Sequence, residues 1–211
     1  MEEMITVVDR ERNVLGVKSR TAVHLDGDWH ETFQCWFVEQ VEDSYYIYLQ
    51  LRSASKKDFP TMYDITAAGH LLAGETVADG VREIKEELGI DVSLEDLTFL
   101  EAIPNTIVLQ EFIDNEVSLV YLYEVKSPLQ FSFEDEEVSA VVRMKFDEFV
   151  DVCFSRLHAA SIEIYKRGQF VSTEEMITLK RIVPHERSYF EKVIHLIQSY
   201  IACNKNLVEK C

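Results

Sequence analysis

The sequence predicts an α/β protein: a mixed β-sheet with one embedded helix, followed by a helical C-terminal third. Three observations carry this reading. Residues 32–39 and 45–52 are strand-like, the first alternating and the second rich in aromatic and β-branched residues. Val77, Val81, Ile84 and Leu88 recur at helical spacing. After Asp147 the apolar residues change to three- and four-residue spacing.

Taken in order, residues 5–9 and 14–18 read as two short strands around the polar turn Arg10-Glu11-Arg12-Asn13. Residues 32–52 read as a hairpin, with Phe33, Cys35 and Phe37 on one side and Gln34, Trp36 and Val38 on the other. His24 and His30 fall in what reads as a polar loop. A basic loop spans residues 52–60, and a further loop spans 69–74. Thr76 reads as the N-cap of the embedded helix, with Asp79 as its capping-box partner. Gly89 fits the position just past the helix end. Strands are expected over 97–103, 107–113, 117–125 and 138–146. Helices are then expected through Phe149, Val152, Cys153, Leu157 and Ile162, from Ser172 or Thr173 onward, and over 189–201.

Composition narrows the function. With 211 residues and 47% hydrophobic content, the chain can bury a sizeable core. No apolar run reaches the roughly 18 residues needed to span a bilayer. The acidic start MEEMITVVDRERN has no signal-peptide core, so a cytoplasmic location is expected. A net charge of -17 repels nucleic-acid phosphate and anionic membranes. It leaves room for a small phosphorylated substrate, because a divalent cation inverts the local field. Cys35, Cys153, Cys203 and Cys211 form no CxxC pair and read as unpaired thiols.

The chemistry concentrates in GHLLAGETVADGVREIKEELGI, residues 69–90. Glu83, Glu86 and Glu87 share one helical face, where like charges destabilise the helix unless a cation offsets them. Clustered carboxylates favour a hard cation, Mg2+ or Mn2+. Arg82, four residues before Glu86, supplies part of the offset.

This segment closely resembles the signature box of the Nudix hydrolases. Gly69, Glu75, Arg82, Glu83, Ile84, Glu86, Glu87, Gly89 and Ile90 match that pattern. In one departure, six residues separate Glu75 from Arg82 where the pattern has seven. The resemblance implies a Nudix α/β/α sandwich with a helical C-terminal extension. It implies that Glu83, Glu86 and Glu87 hold Mg2+ or Mn2+, and that water attacks a phosphorus of a diphosphate. Glu83 and Arg82 are then catalytic, with Arg82 orienting the carboxylates through Glu75.

Residues 8–69 also resemble the isopentenyl-diphosphate isomerase-like branch. The matching pieces include Arg20, His24, His30, Gln50 to Ser53, Lys56-Lys57, Tyr63-Asp64 and Ala68-Gly69-His70, with Asp114 to Val117 downstream. This implies a second metal site at His24, His30, His70, Asp114 and Glu116, and makes Glu116 the candidate base. The branch's catalytic cysteine corresponds to Ala68, which can neither give nor take a proton, so isomerisation is disfavoured. The intact carboxylate set likewise disfavours a non-catalytic ligand-sensing module.

Arg52, Lys56 and Lys57 form the densest basic cluster and read as a clamp for the substrate diphosphate. Glu137 reads as part of a solvated acidic run, with a base or ligand role as the alternative. Arg181, His185 and Arg187 read as surface charge. The expected division is a Nudix domain over 1–146 and C-terminal helices over 147–211, packed on that domain or at the interface of a homodimer.

Overall fold

The computed structural model describes residues 2–109 and 112–208. The first half comprises β1 (Met4–Val8), β2 (Val14–Ser19), α1 (Arg20–Asp26), β3 (Trp29–Val41), β4 (Ser44–Arg52), β5 (Tyr63–Asp64), β6 (Ala67–His70), α2 (Val77–Gly80) and α3 (Arg82–Leu88). The second comprises β7 (Thr98–Leu109), β8 (Phe112–Val125), β9 (Val138–Lys145), α4 (Phe146–Cys153), β10 (Ala160–Lys166), β11 (Gln169–Ile177) and α5 (Arg187–Val208).

The long strand β3 organises everything else. One of its edges runs parallel to β8, with Trp29 to Glu39 beside Asn115 to Val125. Its other edge is shared in succession by β1 at Val8 and Val7, β6 at Ala67 to His70, and β4 at Ser44 to Ile47. Beyond β4 the sheet continues through β9 and β10 to β11.

Alternation along β3 divides the core as the sequence predicts. Phe33, Cys35 and Phe37 pack with Ile84 and Leu88 of α3 on one face. Trp36 and Val38 pack with Phe149 of α4 and Val193, Ile194 and Ile197 of α5 on the other. A sheet covered on both faces by helices is an α/β/α sandwich.

The structure corrects several expectations. Residues 160–177 are the hairpin β10–β11, not helix. Ile162 is buried, and its segment alternates as a strand docked on β9. Ser172 and Thr173 lie within β11 and start no helix. The expected strands over 97–103 and 107–113 are largely one strand, β7, running through Pro104; residues 110 and 111 lie outside the described residues. His24 lies in α1 and His30 in β3, and both are buried.

The embedded helix is interrupted at Val81. Its start is as expected, with Asp79 Oδ2 accepting from the Thr76 N–H (2.8 Å) and hydroxyl (2.7 Å). Gly80 packs so tightly that a Cβ there would meet Leu71 Cδ2 at 2.6 Å and Phe33 Cβ at 2.9 Å. Gly89 ends α3 in the left-handed region at φ 70°. Cys35 and Cys153 are buried and Cys203 is exposed, all unpaired, and Cys211 lies outside the described residues.

Candidate active site

A cleft of about 500 Å³ opens where β3, β4, β5 and β6 meet α3 and the start of β8. The sheet registers bring together the residues in its wall and directly behind it. His30 on β3 is paired with Glu116 on β8, and Thr32 on β3 with His70 on β6. Gln50 on β4 is paired with Asp64 on β5.

The α3 face supplies the carboxylates. Arg82 is the hub: its Nε and Nη2 reach the two Glu75 oxygens at 3.1 and 3.0 Å. Its Nη1 pairs with Glu83 and donates to Glu86 Oε2 at 3.0 Å. Glu75 in turn accepts the Leu72 N–H at 2.8 Å. The short spacing before Arg82 therefore leaves the Glu75–Arg82 fork intact.

Glu87 is buried and accepts hydrogen bonds from the Ala68 N–H and Gln50 Nε2, both at 3.0 Å. Burial and the neighbouring Glu83 push its carboxyl up to about 8. Burial likewise pushes Glu83 up to about 7, although Arg82 opposes the shift. Two carboxylates raised this far have less positive charge beside them than their ionised forms need, even with Arg82 on Glu83, and a divalent cation would supply it. Glu86 is the exposed member of the three.

A second cluster joins His24, His30, His70 and Asp114, whose ligand atoms lie within 4.8 Å of one another. Asp114 Oδ1 is 3.4 Å from Nε2 of both His24 and His30. Both Asp114 Oδ1 and His30 Nε2 are buried without a hydrogen-bond partner. Buried orphan polar atoms are costly, and two of them converging is a donor set that fits a cation. His30 Nδ1 is 3.1 Å from the Asp28 carbonyl, so its Nε2 is the free nitrogen facing the cluster. Burial holds His30 below the ordinary histidine range and His70 well below it. Neutral imidazoles are the form that binds metal.

Glu116, predicted to join this cluster, lines the same cleft but is not among its converging ligand atoms. Its Oε2 accepts from Gln34 Nε2 at 3.0 Å and Ser118 Oγ at 3.3 Å. Burial and the nearby Asp114 and Asp64 raise it well above the carboxylate range.

The predicted basic clamp is divided. Arg52 and Lys56 line the cleft. Lys57 instead lines an adjoining hollow with Leu25, Leu109 and Phe112. Lys56 pairs with Glu137 across the cleft mouth. Arg20 lines both spaces and is a cleft cation that the basic-cluster reading overlooks.

His185 corrects the surface-charge reading. Its side chain is 6% exposed and lies in the cleft wall, bonded to Asp64 and Asn105. Asp64 and Gln50 belong to the pieces that match the isomerase-like branch, and that match is the sequence signal for both. Arg181 remains at the surface and pairs with Glu175, and Arg187 pairs with Glu191 on α5.

Comparison with known proteins decides the family. The NUDIX domain model matches residues 28–167. An uncharacterized Nudix hydrolase of Clostridium acetobutylicum is 32% identical over 200 residues, covering 93% of this chain and 97% of that protein. The chain belongs to the Nudix family. As a Nudix hydrolase it falls among the pyrophosphohydrolases, a class that generally uses divalent metal.

Nudix hydrolase 3 of Arabidopsis thaliana is 37% identical over 158 residues, which make up 70% of this chain but only 20% of that longer protein. An isopentenyl-diphosphate Delta-isomerase of Salmonella heidelberg is 30% identical over 165 residues, covering 74% of this chain and 83% of the isomerase. The fold is similar to that of a Deinococcus radiodurans protein in a crystal structure, with TM-score 0.54 at 18% identity over 72% of this chain and 90% of the other. Among the described residues, no helix is long and apolar enough to cross a membrane.

Proposed function

We propose that this Nudix hydrolase cleaves the diphosphate linkage of a small organic or nucleoside diphosphate derivative, with Mg2+ or Mn2+ held by Glu83, Glu86 and Glu87. The observation that carries the reading is the Glu83–Glu87 pair, the first half-buried and the second buried, both lining the cleft and both raised. A divalent cation bound there would neutralise diphosphate oxygens and acidify a water.

The protein's own residues then have distinct tasks. Arg82, clamped by Glu75, holds Glu83 and Glu86 in position. Arg52, Lys56 and Arg20 line the cleft as cations for the phosphate oxygens, and the two guanidiniums are suited to bidentate contact. Glu116, oriented by Gln34 and Ser118, would accept the proton of the attacking water in its ionised form, which a cation bound beside it favours over the protonated form that burial and Asp114 impose. His24, His30, His70 and Asp114 hold a second cation. The substrate is small rather than a nucleic acid, in keeping with the net charge of -17, and the setting is the cytoplasm.

One observation favours a second reading. The histidine cluster and the 30% identity to an isomerase raise isopentenyl-diphosphate isomerisation. Against it, Ala68 lines the cleft where a proton-transferring side chain is needed, and its N–H is already given to Glu87.

The test is a panel of nucleoside diphosphate sugars, dinucleotides, prenyl diphosphates and thiamine diphosphate with Mg2+ or Mn2+. Metal-dependent release of a phosphorylated product supports hydrolysis. Conversion of isopentenyl diphosphate to its allylic isomer, with no hydrolysis of any member, would replace it with the second reading.

A further inference from the structure

We propose that His185 is a positioning residue that acts through Asp64 to set the Arg52 guanidinium in the cleft. The proposal rests on the reading of Arg52 as a diphosphate-binding group, and it gives the C-terminal segment a part in substrate binding.

The hydrogen-bond directions follow from one backbone contact. Asn105 Oδ1 accepts the Glu186 N–H at 3.1 Å, which fixes the amide orientation. Its Nδ2 therefore faces His185 Nδ1, 3.0 Å away, as a donor. Nδ1 must then be the acceptor, and the ring proton sits on Nε2. That proton points at Asp64 Oδ1, 3.1 Å away. Packing holds the ring in this attitude: it stacks on Tyr189 with centroids 4.9 Å apart and meets the Phe190 ring edge-on at 5.7 Å.

Asp64 passes the constraint on. Its Oδ1 also accepts the Ile65 N–H at 2.8 Å, and its Oδ2 accepts from Arg52 Nη1 at 3.1 Å. Burial alone would raise this carboxyl, but the His185 hydrogen bond and the Arg52 charge outweigh it, so Asp64 stays ionised. Arg52 Nε and Nη2 donate to the Asp58 carbonyl at 3.2 and 2.9 Å. The guanidinium is thus fixed from two sides while its residue lines the cleft.

The segment carrying His185 is itself anchored. The Val183 N–H donates to the Tyr63 carbonyl at 2.9 Å, next to Asp64, and Tyr189 Oη donates to Gln34 Oε1 at 2.5 Å. His185 is 121 residues from Asp64 in sequence, so the relay exists only once the C-terminal segment has docked.

The test uses the full chain with Mg2+ and methylenediphosphonate, a diphosphate that resists hydrolysis, and reads affinity by calorimetry. His185→Leu removes the donor to Asp64. It should weaken binding about tenfold, the scale of a hydrogen bond to a charged group. His185→Gln keeps an amide N–H and should recover most of that loss. In an Arg52→Ala background, His185→Leu should change affinity less than about twofold, because the relay then has nothing to position.

A purely structural role for His185 predicts a different pattern: no recovery with Gln and an undiminished loss in the Arg52→Ala background. Either result overturns the proposal, as does absence of binding to the unmodified protein. Thermal unfolding of His185→Gln checks that the fold is kept. Failure of the hydrolase reading would look different again: the binding pattern would hold while no diphosphate in the substrate panel is cleaved.

Discussion

The backbone of Gly69 passes directly against the Glu83 carboxylate, so that a Cβ at position 69 would overlap it. The glycine and the glutamate are one device: β6 leaves space, and α3 fills it with a charged group. Gly69→Ala must displace Glu83 or push β6 away from α3. We expect Mn2+ affinity to fall about tenfold or more, since a displaced ligand loses most of its contribution. Calorimetric titration of the folded variant measures this. Unchanged affinity would mean that the observed Glu83 position is not the one that holds metal.

Replacing Glu86 or Glu87 by Gln keeps the side-chain shape and removes one negative charge. On the proposed mechanism each change lowers kcat by at least ~100-fold, comparable to losing a charge stabiliser at the reacting phosphate. The two variants should differ in stability. Glu87 is buried, with Glu83 beside it, so folding near neutral pH must protonate a carboxyl that is ionised in the unfolded chain; Gln removes that cost and should raise the melting temperature of the metal-free protein. Glu86 is largely exposed and should show little change. Wild-type turnover in both variants would remove the metal from this helix.

The sandwich was largely legible because its elements carry strong periods. Ile84 and Leu88 mark α3, and the alternation along β3 divides two core layers. What was not legible depends on contacts distant in sequence. The segment 160–166 has the alternation of a strand, but the helical count begun at Phe149 absorbs Ile162, and only docking on β9 decides between them. α1 has seven residues with Val23 and His24 buried, too short a run to show a period. The carboxylates of the site were legible because a helix fixes their spacing locally. His185 was not, because its partners Asp64 and Asn105 come from β5 and β7.

Tyr189 tests how the C-terminal helix is held. Its hydroxyl donates to Gln34 Oε1 and accepts from Trp36 Nε1 at 3.3 Å, all within the core. Tyr189→Phe fits the same space but strands both partners in a buried setting. Unfolding by denaturant should show a loss of about 1–3 kcal/mol, the cost of unsatisfied buried polar groups. Gln34 also orients Glu116, so kcat should fall by more than KM changes. A stable variant with wild-type kinetics would separate this helix from the site.

The raised carboxyls make metal binding and stability depend on pH in a defined direction. In the metal-free protein Glu83 sits near 7 and Glu87 near 8, against 4.5 for an ordinary glutamate. A folded value above the unfolded one gives stability that is fully present below 4.5 and lost as pH rises through the folded value. The metal-free protein should therefore lose on the order of a few kcal/mol between about pH 5 and about pH 9, most of it across the titrations of these two groups. Saturating Mg2+ should flatten that decline, because the cation favours the ionised forms. Cation binding near neutral pH must correspondingly expel protons. Calorimetry in two buffers of different ionisation enthalpy measures the number released. A release close to zero at pH 7, with the same affinity at pH 6 and pH 8, would show that the cation does not bind to these two carboxylates.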